Sequence, residues 1–514
     1  MLRLIKASVM SRAAAFFLGG IYFLAFAPYD YWIVAFVSLV GLFFILVRFP
    51  EQALSLSWLF GVGKYLFGAS WIYVSIREYG GADIFLASFL VALFVIGLAL
   101  FLLPVGYSVR RLKTANLWVN AMVFVFAWSA SEWLLTWLFT GFPWLLLGYS
   151  LIASPLASLL PIFGVLASGM LSLVFFLGVV LVCRALLFSG RTRWYYAAPV
   201  LVPCLLVLVL HNITWVSEKG LHSVGLVQGN IDQSVKWDFK ERNRIAQKYI
   251  SMSAELWGLD LVVWPEYALT LYGEEAKRVK LNLQKRAIVS GTNLLLGAPE
   301  VVAYEDKQLA ERFRVFNTAQ GFGLASGSFA KAHLVPFGDY VPFQEFLRGL
   351  ITFFDLPMSS SSKGSSDQPN ILAKLGDETV QIGIGICYEI AFGESMRIRA
   401  READLLVTIT NDTWFGASIG PHQHMQIARV RALENGRWLV RAANDGITGI
   451  IDHKGNVRDE LPQFTEGVLK GKFQTMQGRT PYNLLGDTLF FAMLVILGVI
   501  VCLYRYTVAI RIKG

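Results

Sequence analysis

Charged side chains are scarce in this sequence. Of 514 residues, 16% are Asp, Glu, Lys or Arg, while 55% are hydrophobic. Soluble globular chains carry about a quarter charged residues, so the deficit excludes a wholly soluble enzyme, and the apolar content excludes a disordered chain. Cysteine is also scarce. The four are Cys183, Cys204, Cys387 and Cys502, too few and too scattered for a disulfide framework. No Gly-rich phosphate loop occurs, and His422-x-His424 lacks the further Cys, His or carboxylate spacing of a metal site. That pair is expected to open a helix instead. Neither a cofactor nor a metal is expected.

What is present is apolar sequence in blocks. A membrane-crossing helix needs about 20 apolar residues. Eight runs meet or approach that length, at 11–27, 30–48, 55–76, 84–108, 117–139, 160–188, 194–211 and 485–507. The first imitates a secretion signal. However, Pro28 and a second run follow at once, which reads as a helical hairpin. The expected organisation is a membrane domain over 1–211, a polar domain over 220–478, a last span at 485–507 and a tail at 508–514.

The net charge of +9 could suggest nucleic acid, but its placement does not. Arg3, Lys6, Arg12, Arg48, Arg110, Arg111, Lys113, Arg184, Arg191, Arg193, Arg505, Arg511 and Lys513 fall on one side of the alternating loops, with Arg77 the exception. By the positive-inside rule both termini are cytoplasmic and the polar domain faces outward. The bilayer is the expected partner and nucleic acid is not. Lys64 and Glu132 lie inside apolar runs, and intramembrane charges are functional candidates.

Within the polar domain, short β-rich runs end in polar residues: His222–Gln228, Leu261–Trp264, Ala287–Ala298, Val380–Ile386, Leu405–Thr410 and Trp438–Ala443. Helical stretches such as Glu241–Glu255 and His424–Glu434 lie between them, which predicts an α/β domain with reactive groups at strand ends. Three endings carry chemistry. Glu266 follows Trp264-Pro265, where partial desolvation suits a general base. Lys331 stands among apolar neighbours, as an oxyanion-stabilising cation would. Cys387, the sole thiol of the polar domain, follows Gly383-Ile384-Gly385-Ile386 at a strand-to-helix elbow. There the thiol either packs as a small buried hydrophobe or gains from a helix N-terminus, which lowers its pKa.

The order Trp264-Pro265-Glu266, then Lys331-x-His333-Leu334-Val335-Pro336-Phe337-Gly338, then Ile386-Cys387-Tyr388-Glu389 resembles the carbon–nitrogen hydrolase (nitrilase) superfamily. The whole chain resembles its membrane-embedded branch, the apolipoprotein N-acyltransferases. The likeness runs through Thr140-Gly141-Phe142-Pro143-Trp144, Gln228-Gly229-Asn230, Lys236-Trp237-Asp238, Asp355–Ser359, Asn411-Asp412-Thr413-Trp414-Phe415-Gly416 and Asn444–Thr448.

The resemblance implies eight transmembrane helices plus an extracytoplasmic αββα sandwich. It implies Cys387 as nucleophile, Glu266 as base and Lys331 as oxyanion stabiliser. Trp237, Asp339, Tyr388, Glu389, Asn411, Trp414 and Trp144 are implied as supporting or substrate-binding positions. Asp339 departs from the more usual Glu and is one methylene shorter. The implied reaction moves an acyl chain from a phospholipid, phosphatidylethanolamine by resemblance, through a Cys thioester. The acceptor is the α-amine of a diacylglyceryl-cysteine on an apolipoprotein, at the periplasmic face of a bacterial inner membrane. The alternatives are a membrane-anchored amidase acting on a small C–N substrate, and a transporter or receptor with a degenerate enzyme-like domain. Residues 341–358 (VPFQEFLRGLITFFDLPM) are expected to form a lipid-dipping arm and 359–368 its hinge or lid.

Overall fold

The computed structural model describes residues 2–189, 197–303, 313–341 and 360–513, with side chains from 7 to 508. The expected arm lies almost wholly outside the described residues, as do Arg191, Arg193 and the Asp355–Ser359 motif. The chain forms two compact units, one comprising Met1–Trp71, Ser88–Thr214 and Leu485–Gly514, the other Ile72–Ala87 and Trp215–Leu484.

The first unit is helical. Among the described residues, five helices are long and apolar enough to cross a membrane: Ala7–Ala25, Ile84–Leu112, Leu117–Leu135, Pro155–Phe188 and Thr488–Val508. Ile33–Arg48 and Pro50–Gly68 pass together but are bent by 111°, and Ala198–Leu210 is shorter. Helix length therefore gives five or six spans where apolar run length gave eight. The expected span at 55–76 ends at Gly68, and the run at 194–211 begins in residues outside the description. Small residues let helices touch. A Cβ on Gly63 would lie 2.2 Å from the carbonyl oxygen of Phe16, so the helices Leu2–Ile21 and Ala53–Gly68 approach backbone to backbone.

The apolar block 1–211 is interrupted. Residues 72–87 cluster with the α/β unit, where the Ser75 hydroxyl donates to the Trp414 carbonyl at 2.6 Å and the Tyr79 ring meets Trp414 edge-on at 5.7 Å.

The second unit contains two six-stranded sheets. Its strands are β1 (Val216–Gln228), β2 (Leu261–Val263), β3 (Asn293–Ala303), β4 (Phe313–Gly323), β5 (Ser328–Ala330), β6 (Ile371–Leu375), β7 (Glu378–Ile386), β8 (Leu405–Thr410), β9 (Leu439–Ala443), β10 (Thr448–Ile451), β11 (Val457–Leu461) and β12 (Gly467–Gly478). The orders are β12-β1-β2-β3-β4-β5 and β11-β10-β9-β8-β7-β6. Pairing is parallel from β1 to β3 and from β7 to β9, and antiparallel toward the edges. The central strands β2 (LVV) and β8 (LLVTIT) are buried throughout, as continuous apolar runs in parallel sheets are.

Val224, Leu226, Val263 and Leu295 of one sheet share a core with Ile382, Ile384, Val407 and Ile409 of the other. Outside the first sheet, the helices Arg242–Met252 and Gly273–Ser290 pack Ile245, Tyr249 and Leu283 onto Val227, Val262 and Leu294. The helices Gly393–Ala400 and Gly420–Asn435 follow strands of the second sheet. The result is the αββα sandwich. One expected strand shifts. Ala287–Ser290 finish a helix, Gly291 caps it at φ +68°, and β3 starts at Asn293.

Candidate active site

Both sheets deliver their chemistry at strand C-termini. Glu266 follows β2, Lys331 follows β5, Cys387 follows β7 and Asn411 follows β8. Gly297 on β3 makes room for the first of these. A Cβ there would stand 2.4 Å from the Pro265 carbonyl oxygen and 2.7 Å from Glu266 Cα.

Glu266 is buried and held from three sides. Its Oε1 accepts from Asn317 Nδ2 at 2.6 Å and faces Lys331 Nζ at 3.4 Å, and its Oε2 accepts from the Asn411 backbone N–H at 2.9 Å. Trp264 does not supply the desolvation. Its ring faces the helical layer against Tyr249, and its indole N–H donates to Ser253.

Lys331 is 1% exposed and bridges two carboxylates, reaching Asp339 Oδ2 at 2.8 Å. Burial alone would lower its pKa, but Asp339, Glu266 and Cys387 outweigh it and hold the ammonium well above the usual lysine value. The shorter Asp339 side chain reaches because its loop is tightly folded: the same Oδ2 accepts from the Val335 N–H at 2.8 Å.

Cys387 sits at φ +53°, a left-handed conformation costly for a residue with a Cβ. Contrary to expectation, no α-helix starts at the thiol. A 3₁₀ turn, Cys387–Ala391, intervenes before the helix at Gly393. The thiol pKa is not lowered. Burial first, then the Glu266 charge, push it up to about 12 against the pull of Lys331. The resting thiol is therefore protonated at neutral pH and needs a base.

Glu389 is fully buried and ties the site's loops together. Its Oε1 accepts from the Ala332 and His333 N–H groups at 2.8 and 3.0 Å and from Arg399 Nη2 at 3.1 Å, while Oε2 accepts from the Ile386 N–H at 2.9 Å. It thus joins the lysine loop to the cysteine elbow. Tyr388 is buried against Phe392, ring centroids 5.1 Å apart. Trp237 packs edge-on against Tyr267 at 4.9 Å, and its buried indole N–H has no partner among the described residues. Asn411 also donates its side-chain amide to Gln233 at 2.8 Å. Trp414 is half-buried beside Tyr79. Trp144 belongs to the helical unit, where it is buried beside Trp71 and Phe142.

Several residues of the site were given no site role from the sequence. Asn317 is an ordinary strand residue until β4 places it on Glu266. His424 does lie near the helix start, but it also reaches the Cys387 carbonyl oxygen through Nε2 at 3.2 Å. Its Nδ1 meets Asp412 Oδ1 at 3.0 Å, and Asp412 in turn pairs with Arg441 at 2.5 Å. Lys236 is fully buried with its Nζ donating to the Glu266 main-chain carbonyl at 3.1 Å.

A buried carboxylate, a buried ammonium and a thiol on a strained elbow can together run nucleophilic acyl chemistry. Comparison with known proteins agrees with that geometry. Residues 18–177 match the apolipoprotein N-acyltransferase N-terminal domain, and 223–481 match the carbon–nitrogen hydrolase domain. The chain is 40% identical over 473 residues to the apolipoprotein N-acyltransferase of Pseudomonas syringae pv. tomato, covering 90% of this chain and 91% of that one. It is 39% identical to that of Pseudomonas aeruginosa, covering 89% of each chain. The Vibrio cholerae protein of the same name is also 39% identical, with 93% of this chain and 94% of that one covered. With both domains matched in order and nearly the whole chain aligned, the protein belongs to the apolipoprotein N-acyltransferase family, a membrane branch of the carbon–nitrogen hydrolases.

Proposed function

We propose that this chain N-acylates apolipoproteins in two half-reactions at Cys387. In the first, Glu266 takes the thiol proton and the sulfur attacks the ester carbonyl of a phospholipid acyl chain. The tetrahedral oxyanion is held by Lys331 and by backbone N–H groups near Cys387. On collapse the C–O bond breaks, Glu266 returns the proton to the leaving oxygen, and a lysophospholipid departs. In the second, the α-amine of a diacylglyceryl-cysteine attacks the thioester with Glu266 as base. The C–S bond breaks, the thiol is restored, and the product is an amide. An amine attacks a thioester far more readily than an oxygen ester, which is why a cysteine suits the relay.

The observation that carries this reading is the buried cluster in which Lys331 pairs with both Glu266 and Asp339, with the Glu266 and Lys331 charges acting on the single thiol of the α/β unit. The base and the oxyanion cation form one preorganised unit. Asn411 positions the base and Glu389 positions the lysine loop and the cysteine elbow, while Tyr388, Trp237 and Trp414 of the α/β unit and Trp144 of the helical unit are assigned to substrate binding. The donor is phosphatidylethanolamine.

The membrane placement of both substrates fits a chain with its own apolar helices. Extracting an acyl chain into water costs about 0.8 kcal/mol per CH₂, and a site anchored at the bilayer surface avoids that cost. In this reading residues 1–211 and 485–507 cross the bacterial inner membrane eight times, with each helix of the bent pair and the shorter Ala198–Leu210 crossing beside the five long helices. Both termini and the 508–514 tail are cytoplasmic, and 220–478 is periplasmic. The basic residues clustered on one set of loops support that orientation.

The test is intact-mass measurement of the full chain after incubation with phosphatidylethanolamine vesicles. The expected result is a one-acyl adduct that is absent in Cys387→Ala and discharged by a diacylated Cys-peptide. No adduct from any phospholipid would overturn the proposal. Labelling of Asp238→Cys but not Lys113→Cys by an impermeant thiol reagent on intact spheroplasts checks the orientation.

A further inference from the structure

The mechanism above uses one lysine, but the site buries two. Lys236 comes from the four-residue helix Gln233–Lys236, an element separate from the one that carries Lys331. It is fully buried, and among the described residues its Nζ makes one hydrogen bond, to the main-chain oxygen of Glu266 at 3.1 Å. No carboxylate lies within ion-pairing distance among the described residues. A buried ammonium so thinly satisfied costs free energy.

What surrounds Lys236 indicates its use. The charges it feels are Glu266, Asp445 and Cys387, and burial first of all brings its own pKa down to about 8. The helix that carries it is itself fixed to the site, since Gln233 accepts from the Asn411 amide while the Asn411 backbone N–H donates to Glu266. The Glu266 side chain is thus gripped by Asn317, Asn411 and Lys331, and its main chain by Lys236.

We propose that Lys236 is a positioning residue for Glu266: its buried ammonium pins the base's main-chain carbonyl and supplies a second positive charge that sets the pH range in which the base works. The inference rests on the assignment of Glu266 as the base. The ionisable groups facing Glu266 are Lys331 with its partner Asp339, Cys387, Tyr267 and Lys236. Removing one positive charge from that set raises the pH at which a carboxylate loses its proton.

The test is the pH–rate profile of acyl-enzyme formation for the full chain in detergent with short-chain phosphatidylethanolamine, comparing wild type, Lys236→Gln and Lys236→Arg. In Lys236→Gln the acid limb should move up by about one pH unit. In Lys236→Arg it should stay at the wild-type position, even at a lower plateau. A structural role alone would lower the plateau and leave the limb in place, so an unshifted limb in Lys236→Gln overturns the proposal. If the glutamine variant does not fold, Lys236→Met, which keeps the length and drops the charge, is read in its place: an upward-shifted limb supports the proposal and an unshifted limb overturns it. Absence of acyl-enzyme in wild type would instead refute the underlying reading of the site.

Discussion

The helical unit buries Lys64 and the α/β unit buries Lys331, and the two charges are met differently. In the helical unit, Lys64 Nζ lies 5.0 Å from the Tyr22 ring and 5.1 Å from the Tyr65 and Trp128 rings. Glu132, on Leu117–Leu135, is buried too, but its Oε1 accepts from the Leu147 N–H at 2.7 Å. In the α/β unit, Lys331 touches two carboxylates and no ring cage. Aromatic faces offer a cation a soft, diffuse attraction of about 0.5–2 kcal/mol, to which the Glu132 charge adds without a direct ion pair among the described residues. Carboxylates offer strong, directional contacts that also shift titration. The first arrangement suits a charge that locks helices together, the second a charge that must meet a developing oxyanion.

This contrast can be broken experimentally. Lys331→Met should be the most damaging change. It strands Glu266 and Asp339 in a buried site, at a stability cost of about 3–5 kcal/mol. It should also slow acyl-enzyme formation by about 10²–10³-fold, as loss of one oxyanion donor does. Wild-type rates in a folded Lys331→Met variant would remove Lys331 from the mechanism.

Asp339→Asn keeps the size and drops the charge. It should slow the same step by about tenfold or more, because a charge-assisted contact of roughly 1.5–3 kcal/mol is lost. An unaltered rate would mean that Asp339 serves only its loop.

Asp445 sharpens the comparison through pH. Burial, ahead of its other contacts, raises its pKa from 3.8 to about 7. The folded state thus holds this proton more tightly than the unfolded state. That favours folding at low pH and is lost as pH rises through 7. Asp445→Asn should therefore gain stability relative to wild type between pH 4 and pH 8, on the order of 1–3 kcal/mol. Melting curves at the two pH values check it, and an equal difference at both would sink it.

The smallest effect belongs to Lys64→Met. A flexible apolar side chain fits an aromatic cage, so we expect a loss of about 0.5–2 kcal/mol in the helical unit and acyl-enzyme formation within about twofold of wild type. A collapse of activity would place Lys64 beside Lys331 in function rather than apart from it.

Much of this was legible in the sequence because it depends on local pattern. The apolar blocks, the strand runs ending in Glu266, Cys387 and Asn411, and the ordered motifs needed no coordinates. A lowered thiol pKa, one of the two readings of Cys387, ran in the wrong direction. The sequence places Cys387 before a helical stretch, but the structure interposes a 3₁₀ turn and buries the sulfur near a carboxylate. The span count differs because the sequence records apolar run length and not where each helix starts and stops. Ile33–Arg48, Ala53–Gly68 and Ala198–Leu210 are each shorter than a full span, although the runs that contain them are apolar.

Composition and periodicity alone determined that this chain has a membrane part and an α/β part, since hydropathy and side-chain alternation are properties of consecutive residues. Tertiary structure decided which distant residues share the site. Asn317 reaches Glu266 from 51 positions away, Lys236 from 30, and Asn411 from 145. Glu389 joins the lysine loop to the cysteine elbow across 57 positions. Those meetings depend on sheet order and register, which no local stretch of sequence encodes, and they set the charges that the thiol experiences.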